Sequence, residues 1–159
     1  MWGEEETPKK GRDHGMKIWF DMDGTIANLY AVDGWLDAIR ARDTRPYEIA
    51  APMIDTLALA ALLNDVKANG HEIGIISWTA KNGTDEYNAR VAMAKREWLA
   101  RNLPTVTWNT IRVVAYGTDK KTATGGGILF DDEEPNRIAW GRGAYEPHEI
   151  LETLAHLAR

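Results

Sequence analysis

Short apolar runs alternate along this chain with longer stretches of helical periodicity, and this alternation constrains the fold more than any other feature. The runs predicted to be strands lie at 16–20, 72–76, 111–115, 127–130 and 143–145. Helical patterns occupy 26–42, 53–69 and 85–101, and a last helix opens at Pro147. The apolar side expected of the second helix contains Ile54, Leu57, Ala61 and Leu62. Strands that alternate with helices favour a parallel sheet covered on both faces. The polar segments 44–52 and 118–126 are predicted to be loops.

The composition limits what kind of protein this is. The chain has 159 residues, 44% hydrophobic and 27% charged, which suits one globular domain. The absence of cysteine excludes disulfides and thiolate metal sites. A net charge of -5 gives no general attraction to nucleic acid or to anionic membranes, and no apolar run is long enough to cross a bilayer. We expect a cytoplasmic protein with a flexible tail at 1–15 and a single domain at 16–159.

Polar residues follow the predicted strands where each strand ends. Asp21 and Asp23 follow the first strand, Ser77 follows the second, and Asp131 and Asp132 follow the fourth. Ligands of open α/β sheets bind beyond the carboxyl ends of the strands. If the strands are parallel neighbours, these residues converge on one pocket, and the Lys120-Lys121 pair before the fourth strand lies near them in sequence.

Four carboxylates in one pocket raise one another's pKa values unless a cation lies among them. A magnesium ion fits this set of ligands, because it takes oxygen ligands and is commonly held by one or two carboxylates together with substrate phosphate. The sequence has no His-Glu-x-x-His zinc motif, no EF-hand spacing and no Gly-Lys-Thr join of a phosphate-binding loop. We therefore expect Mg²⁺ as the cofactor.

A carboxylate beside magnesium can attack phosphorus and form an aspartyl-phosphate that water then hydrolyses. Asp21 is the candidate nucleophile, and Asp23 is the nearest carboxyl for the proton transfers. Ser77 can donate a hydrogen bond to a phosphoryl oxygen, and a lysine can neutralise charge on the transferring group. Taken singly, Ser77 and Lys120 would be an ordinary strand-end hydroxyl and a surface lysine, so their interpretation depends on position.

The order Asp21-Met22-Asp23-Gly24-Thr25, Ser77, a lysine and Asp131-Asp132 resembles the four motifs of the haloacid dehalogenase superfamily of phosphohydrolases. The resemblance covers the chain from Met16 to its end and is strongest to small 5'-nucleotidase-like and phage-type phosphatases. It implies a Rossmann-like three-layer sandwich with a minimal helical cap insert at 26–52.

The same resemblance implies roles for individual residues. Asp21 would be the nucleophile and Asp23 the general acid/base. Magnesium would be held by Asp21, the backbone carbonyl of Asp23 and Asp131, with Asp132 a near or water-mediated ligand. The motif lysine would be Lys120 or Lys121, and the preceding Tyr-Gly-Thr-Asp favours Lys120.

The substrate is predicted with less detail. Gly24, Thr25 and Trp78 are the candidate substrate-binding residues. Trp78 could stack on a nucleobase together with Tyr30 and Trp35, although packing is the commoner use of such side chains. Arg40, Arg42 and Arg45 could meet a phosphate chain, although a solvated helix end is the commoner account of such residues. Lys95, Arg96 and Arg101 lie late in a helix, where cations suit its dipole.

The expected function is a magnesium-dependent phosphomonoester hydrolase for a nucleotide or another small phosphate. A phosphatase for polynucleotide ends is an alternative, because the short insert would leave the site open to large substrates. A non-catalytic module that binds metal or phosphate is an alternative of another class, and Asp23 argues against it, since binding alone needs no acid/base. The sequence makes no prediction of the oligomeric state.

Overall fold

Five parallel strands form the sheet in this computed structural model, which describes residues 15–159. The strands are β1 (Lys17–Phe20), β2 (Glu72–Trp78), β3 (Thr110–Val114), β4 (Ile128–Phe130) and β5 (Ala144–Tyr145). They are ordered β3-β2-β1-β4-β5 and every neighbouring pair is parallel. All five predicted strands are present, whereas nearly all of the predicted tail at 1–15 lies outside the described residues.

In the described part of the chain, seven α-helices connect and cover the strands. They are α1 (Trp35–Arg40), α2 (Arg45–Ile49), α3 (Thr56–Ala68), α4 (Asp85–Asn102), α5 (Lys120–Thr124), α6 (Glu134–Trp140) and α7 (Ile150–Leu157), with 3-10 turns at Leu29–Ala31 and Pro147–Glu149. Within residues 15–159, no helix combines the length and the apolar character needed to cross a membrane.

Helices pack on both faces of the sheet, and the alternation of side chains along each strand explains why. Ile18 and Phe20 of β1 point to one face, where α3, α4 and α7 complete the main core. Trp19 points to the other face and packs with Leu129 and with Trp140 of α6. The predicted α/β, Rossmann-like, three-layer architecture is therefore confirmed.

Two segments predicted to be loops contain helices instead. In α2, Pro46 occupies the first turn, where the missing amide hydrogen costs nothing. In α5, the Asp119 side chain accepts from the Thr122 amide at 2.9 Å and Gly125 ends the helix at φ 87°. These caps make a five-residue helix possible in a polar segment.

Two details of the predicted helices are wrong. The pattern at 26–42 is not one helix, because Gly34 with φ 72° interrupts it before α1. On α3, the expected apolar side included Leu57, which is 83% exposed, and the buried stripe is Leu59, Leu63 and Val66. Nine of the 13 residues of this helix are apolar, so the sequence fits more than one apolar stripe.

The insert at 26–52 forms a small helical unit over the amino-terminal half of α4. Leu29, Ile39 and Tyr47 of the insert pack against Tyr87 and Val91 of α4. The indole nitrogen of Trp98 also donates to the Ala50 carbonyl at 2.7 Å, which fixes the end of the insert. The insert therefore stands beside the carboxyl edge of the sheet, where the polar residues lie.

Candidate active site

The sheet order brings the polar strand ends together. Because β1 lies between β2 and β4, the residues that follow or end these three strands share one edge of the sheet. The Asp21 amide donates to the Phe130 carbonyl at 2.9 Å, which ties the ends of β1 and β4. Asp21, Ser77 and Asp131 are all buried at this edge.

Lys120 contacts two of the predicted carboxylates. Its Nζ donates to Asp21 Oδ1 at 2.9 Å and to Asp131 Oδ2 at 2.7 Å, and the residue is 5% exposed. Lys121 points away and donates to the Trp140 carbonyl at 3.1 Å. Of the two lysines left open by the sequence, Lys120 is the one that lies among the acids.

Asp21, Asp131 and Asp132 form an acidic cluster whose ligand oxygens lie within 4.8 Å of one another. Burial, and then the nearby charge of Asp21, raise the pKa of Asp131 to about 6 and that of Asp132 to about 8. One lysine cannot neutralise three carboxylates, so the cluster carries excess negative charge. Its oxygen donors fit a hard divalent cation such as magnesium.

Gly24 and Thr25 support this cluster. The Thr25 hydroxyl donates to Asp21 Oδ2 at 2.9 Å and accepts from the Asp132 amide at 3.2 Å. Gly24 has φ 82°, and a Cβ there would overlap the Asp132 carboxylate. Neither residue lines the adjoining cavity, whose lining includes Asp21, Asp23, Ser77 and Lys120. These contacts indicate that Gly24 and Thr25 position carboxylates, while substrate binding by the two residues stays a prediction.

Asp23 is separated from the acidic cluster and contacts a lysine that the sequence interpretation missed. Lys95 of α4 is 1% exposed, and its Nζ donates to Asp23 Oδ2 at 2.8 Å, to Ser77 Oγ at 2.7 Å and to the Trp78 carbonyl at 2.7 Å. Burial raises the pKa of Asp23 above its usual value, and the charge of Lys95 offsets only part of this rise.

The expected role of Lys95 as a helix-end cation is therefore wrong. The signal was its spacing: Lys95 follows the buried Val91 by four positions and precedes the buried Trp98 by three, which puts it on the apolar side of α4.

A cavity of about 440 Å³ opens above these groups. Its floor contains Asp21, Asp23, Ser77 and Lys120, and its walls include aromatic side chains from the insert and from the strand ends: Tyr30, Trp35, Tyr47, Trp78 and Tyr116. Trp78 is half-buried, donates from its indole to the Thr118 carbonyl at 2.9 Å, and has Lys120 Nζ 5.2 Å from its ring. The structure thus brings Trp78, Tyr30 and Trp35 to the same cavity as the predicted catalytic residues.

One comparison with a solved structure supports the fold. D,D-heptose 1,7-bisphosphate phosphatase from Burkholderia thailandensis superposes with a TM-score of 0.54 at 9% identity, covering 89% of this chain and 97% of that one. This chain shares the fold of that phosphatase. The fold expected from the resemblance to haloacid dehalogenase phosphatases is thereby confirmed, while the nucleotidase-like subtype stays a prediction.

Other comparisons add less. A structural-genomics target from Vibrio cholerae gives a TM-score of 0.43 at 20% identity, covering 90% of this chain and 96% of that one, which is too distant to support an argument. No protein-family model matches the chain. The peptidoglycan-associated lipoprotein of Pseudomonas putida is 33% identical over 110 residues, or 64% of this chain, and the match spans 66% of that protein, slightly under two thirds. The name of that lipoprotein refers to an association with peptidoglycan, which is a statement about that protein alone.

Proposed function

We propose that this chain is a magnesium-dependent phosphomonoester hydrolase that acts through an aspartyl-phosphate on Asp21. One observation carries the proposal: the Asp21 carboxylate lies at the floor of a cavity, bound to the Lys120 ammonium and within 4.8 Å of carboxylate oxygens of Asp131 and Asp132. A nucleophile, a charge-neutralising lysine and a set of oxygen ligands are the parts that phosphoryl transfer requires.

The acidic cluster is the proposed magnesium site. Asp21 and Asp131 would hold the ion together with the backbone carbonyl of Asp23, and Asp132 would act directly or through water. When bound, the ion supplies positive charge that stabilises the phosphoryl oxygens. The Lys95 contact keeps the Asp23 carboxylate out of this ligand set.

Asp21 and Asp23 have separate roles in the proposed reaction. An Asp21 oxygen bonds to phosphorus while the bond from phosphorus to the leaving oxygen breaks, and Asp23 gives that oxygen its proton. Asp23 then takes a proton from the water that attacks phosphorus, the bond to Asp21 breaks, and inorganic phosphate leaves. Burial of Asp23, which raises its pKa, favours the protonated form needed in the first step.

Ser77 is the proposed hydrogen-bond donor to a phosphoryl oxygen. A lysine ammonium can only donate, so the 2.7 Å contact from Lys95 makes Ser77 Oγ an acceptor. The hydroxyl hydrogen of Ser77 is then free to point into the cavity. Lys95 thus orients Ser77 and Asp23 together.

A nucleotide or another small phosphate is the proposed substrate. The cavity volume of about 440 Å³ lies in the range of small-molecule sites and far exceeds what one phosphate occupies. Aromatic walls suit a planar leaving group.

The test is phosphate release from an aryl phosphate by the purified chain with Mg²⁺. We expect Asp21→Asn to abolish release and Asp23→Asn to slow it by about a hundredfold or more while leaving Mg²⁺ affinity nearly unchanged, because the Asp23 carbonyl persists. Asp65→Asn, which removes an exposed carboxylate on α3, is the matched control.

Undiminished turnover by Asp21→Asn would refute the proposed nucleophile. Equal losses of turnover and Mg²⁺ affinity in Asp23→Asn would contradict its acid/base role. Release only from phosphorylated oligonucleotides would favour a polynucleotide-end phosphatase, and Mg²⁺ binding without any release would favour a non-catalytic module.

A further inference from the structure

Three cations form the outer part of the cavity lining, here called the rim. Arg40 and Arg42 belong to the insert, and Lys81 belongs to the turn after β2. None of the three is ion-paired with a carboxylate among residues 15–159. Since the whole chain has a net charge of -5, this local excess of positive charge does not follow from composition. An unpaired cationic rim attracts an anion.

The backbone at the rim is strained and held in place. Arg42 and Asn82 have φ 65° and 61°, and no other non-glycine residue of the described part of the chain has a positive φ. Residues held in this region of φ cluster at ligand clamps and switch regions. The two are joined directly, because Arg42 Nη2 donates to the Asn82 carbonyl at 3.0 Å. This contact ties the insert to the turn that carries Lys81.

Tyr87 completes the frame behind Arg42. The guanidinium carbons of Arg42 and Arg90 lie 5.7 Å and 5.3 Å from the centre of its ring, and its hydroxyl donates to the Asp43 carbonyl at 2.8 Å. The guanidinium of Arg42 is therefore held by a hydrogen bond and a ring contact. A preorganised cation binds an anion with less loss of side-chain entropy.

Two aromatic pairs line the cavity that links the floor to the rim. Tyr30 and Trp35 of the insert meet edge to face with ring centres 5.0 Å apart, and Trp78 and Tyr116 of the core lie 4.9 Å apart. Lys81 Nζ lies 5.8 Å from the Tyr116 ring. A ligand that reaches from the floor to the rim therefore passes flat apolar surfaces, which suit a nucleobase.

We propose that the substrate is a nucleotide with a second phosphate, which binds Arg40, Arg42 and Lys81 at the rim while the first phosphate lies at the floor. The assignment of the reacting phosphate to the floor rests on the proposed function. A nucleoside 3',5'-bisphosphate and the terminal nucleotide of an oligonucleotide both present this chemistry. The predicted solvated helix end at Arg40 and Arg42 becomes a binding element in this interpretation.

The test is titration calorimetry of the Asp21→Asn variant in Mg²⁺, where turnover is expected to be abolished, with a nucleoside 3',5'-bisphosphate and the matching 5'-monophosphate. We expect the bisphosphate to bind about tenfold more tightly or better. Arg40→Gln and Lys81→Gln should each weaken bisphosphate binding by about three- to tenfold and monophosphate binding by less than about twofold. Arg142→Gln is the matched control, since Arg142 is exposed and precedes β5 at the opposite edge of the sheet.

Equal affinities for the two ligands, or equal losses in Arg40→Gln and Arg142→Gln, overturn the proposal. A 5'-phosphorylated dinucleotide separates the two sources: tight binding of this ligand alone assigns the rim to a phosphodiester, and tight binding of the bisphosphate alone assigns it to a terminal phosphate. Aryl phosphate hydrolysis without any preference for a second phosphate rejects only the rim site. A clear preference in binding without hydrolysis rejects only the proposed function.

Discussion

Replacement of Lys95 with methionine tests the physical account of the site most directly. The change removes three hydrogen bonds of 2.7 to 2.8 Å and leaves the Asp23 carboxylate and the Trp78 carbonyl without their shared donor. Methionine retains most of the apolar stem, so the loss of packing is small. The measured effect therefore reports the buried charge.

The magnitude follows from the fate of Asp23. Removing one member of a buried ion pair costs about 3–5 kcal/mol. Asp23 can escape part of this cost by taking a proton, because burial already raises its pKa and the loss of the Lys95 charge raises it further. We expect a loss near the lower end, about 3 kcal/mol, at pH 6. A protein that contains a carboxyl group with a raised folded-state pKa becomes less stable as the pH rises through that pKa. The loss of stability in Lys95→Met should therefore be larger at pH 9 than at pH 6.

Urea unfolding followed by tryptophan fluorescence at both pH values measures this loss. Arg96→Met is the matched control on the same helix, because Arg96 is exposed and makes one hydrogen bond, to the Ile111 carbonyl at 3.0 Å. Its cost should stay below about 1 kcal/mol. A Lys95→Met variant as stable as this control, or one whose loss does not grow with pH, would refute the reasoning.

Two further predictions concern the acidic cluster. Gly24→Ala should weaken Mg²⁺ binding by about tenfold or more in calorimetry, because the new Cβ displaces Asp132. Gly70→Ala is the matched control: Gly70 has φ 97° and open space around it, so this change should only lower stability. Equal Mg²⁺ affinities of the two variants would contradict the prediction. In the metal-free chain, the pKa values of Asp131 and Asp132 are raised to about 6 and about 8, so the stability of the fold should fall as the pH rises from about 5 to 8. Mg²⁺ should therefore raise Tm more at pH 8 than at pH 6. A Tm increase that does not depend on pH would contradict the proposed site.

The sheet and its polar edge could be predicted because the relevant signals are local. Strands buried on both faces of a parallel sheet are continuous apolar runs, as in Ile18 to Phe20, and the residue after each run then lies at the carboxyl edge. The short helices α2 and α5 were missed because each depends on a cap or a proline position more than on an apolar pattern. The insert's packing on α4 could not be predicted, since it joins residues far apart in sequence.

The lysine partners of Asp21 and Asp23 could not be predicted either, because they also lie far away in the sequence. Asp23 and Lys95 are 72 positions apart, and Asp21 and Lys120 are 99 apart. A lysine on an apolar helix face signals a buried charge, but the sequence does not say which carboxylate it meets. The contact between Arg42 and the Asn82 carbonyl could not be predicted for a related reason, because the two residues lie forty positions apart in the sequence.

The strand order explains why two aspartates two residues apart have different surroundings. Since β1 lies between β2 and β4, Asp21 lies near Asp131 and Lys120 on the β4 side. Asp23 contacts Lys95, which also donates to Ser77 at the end of β2. If both carboxylates faced the acidic cluster, a fourth negative charge would join three that one lysine already fails to neutralise. Lys95 holds the second carboxylate apart, and this separation agrees with the proposal that Asp23 carries a proton while Asp21 serves as a metal ligand.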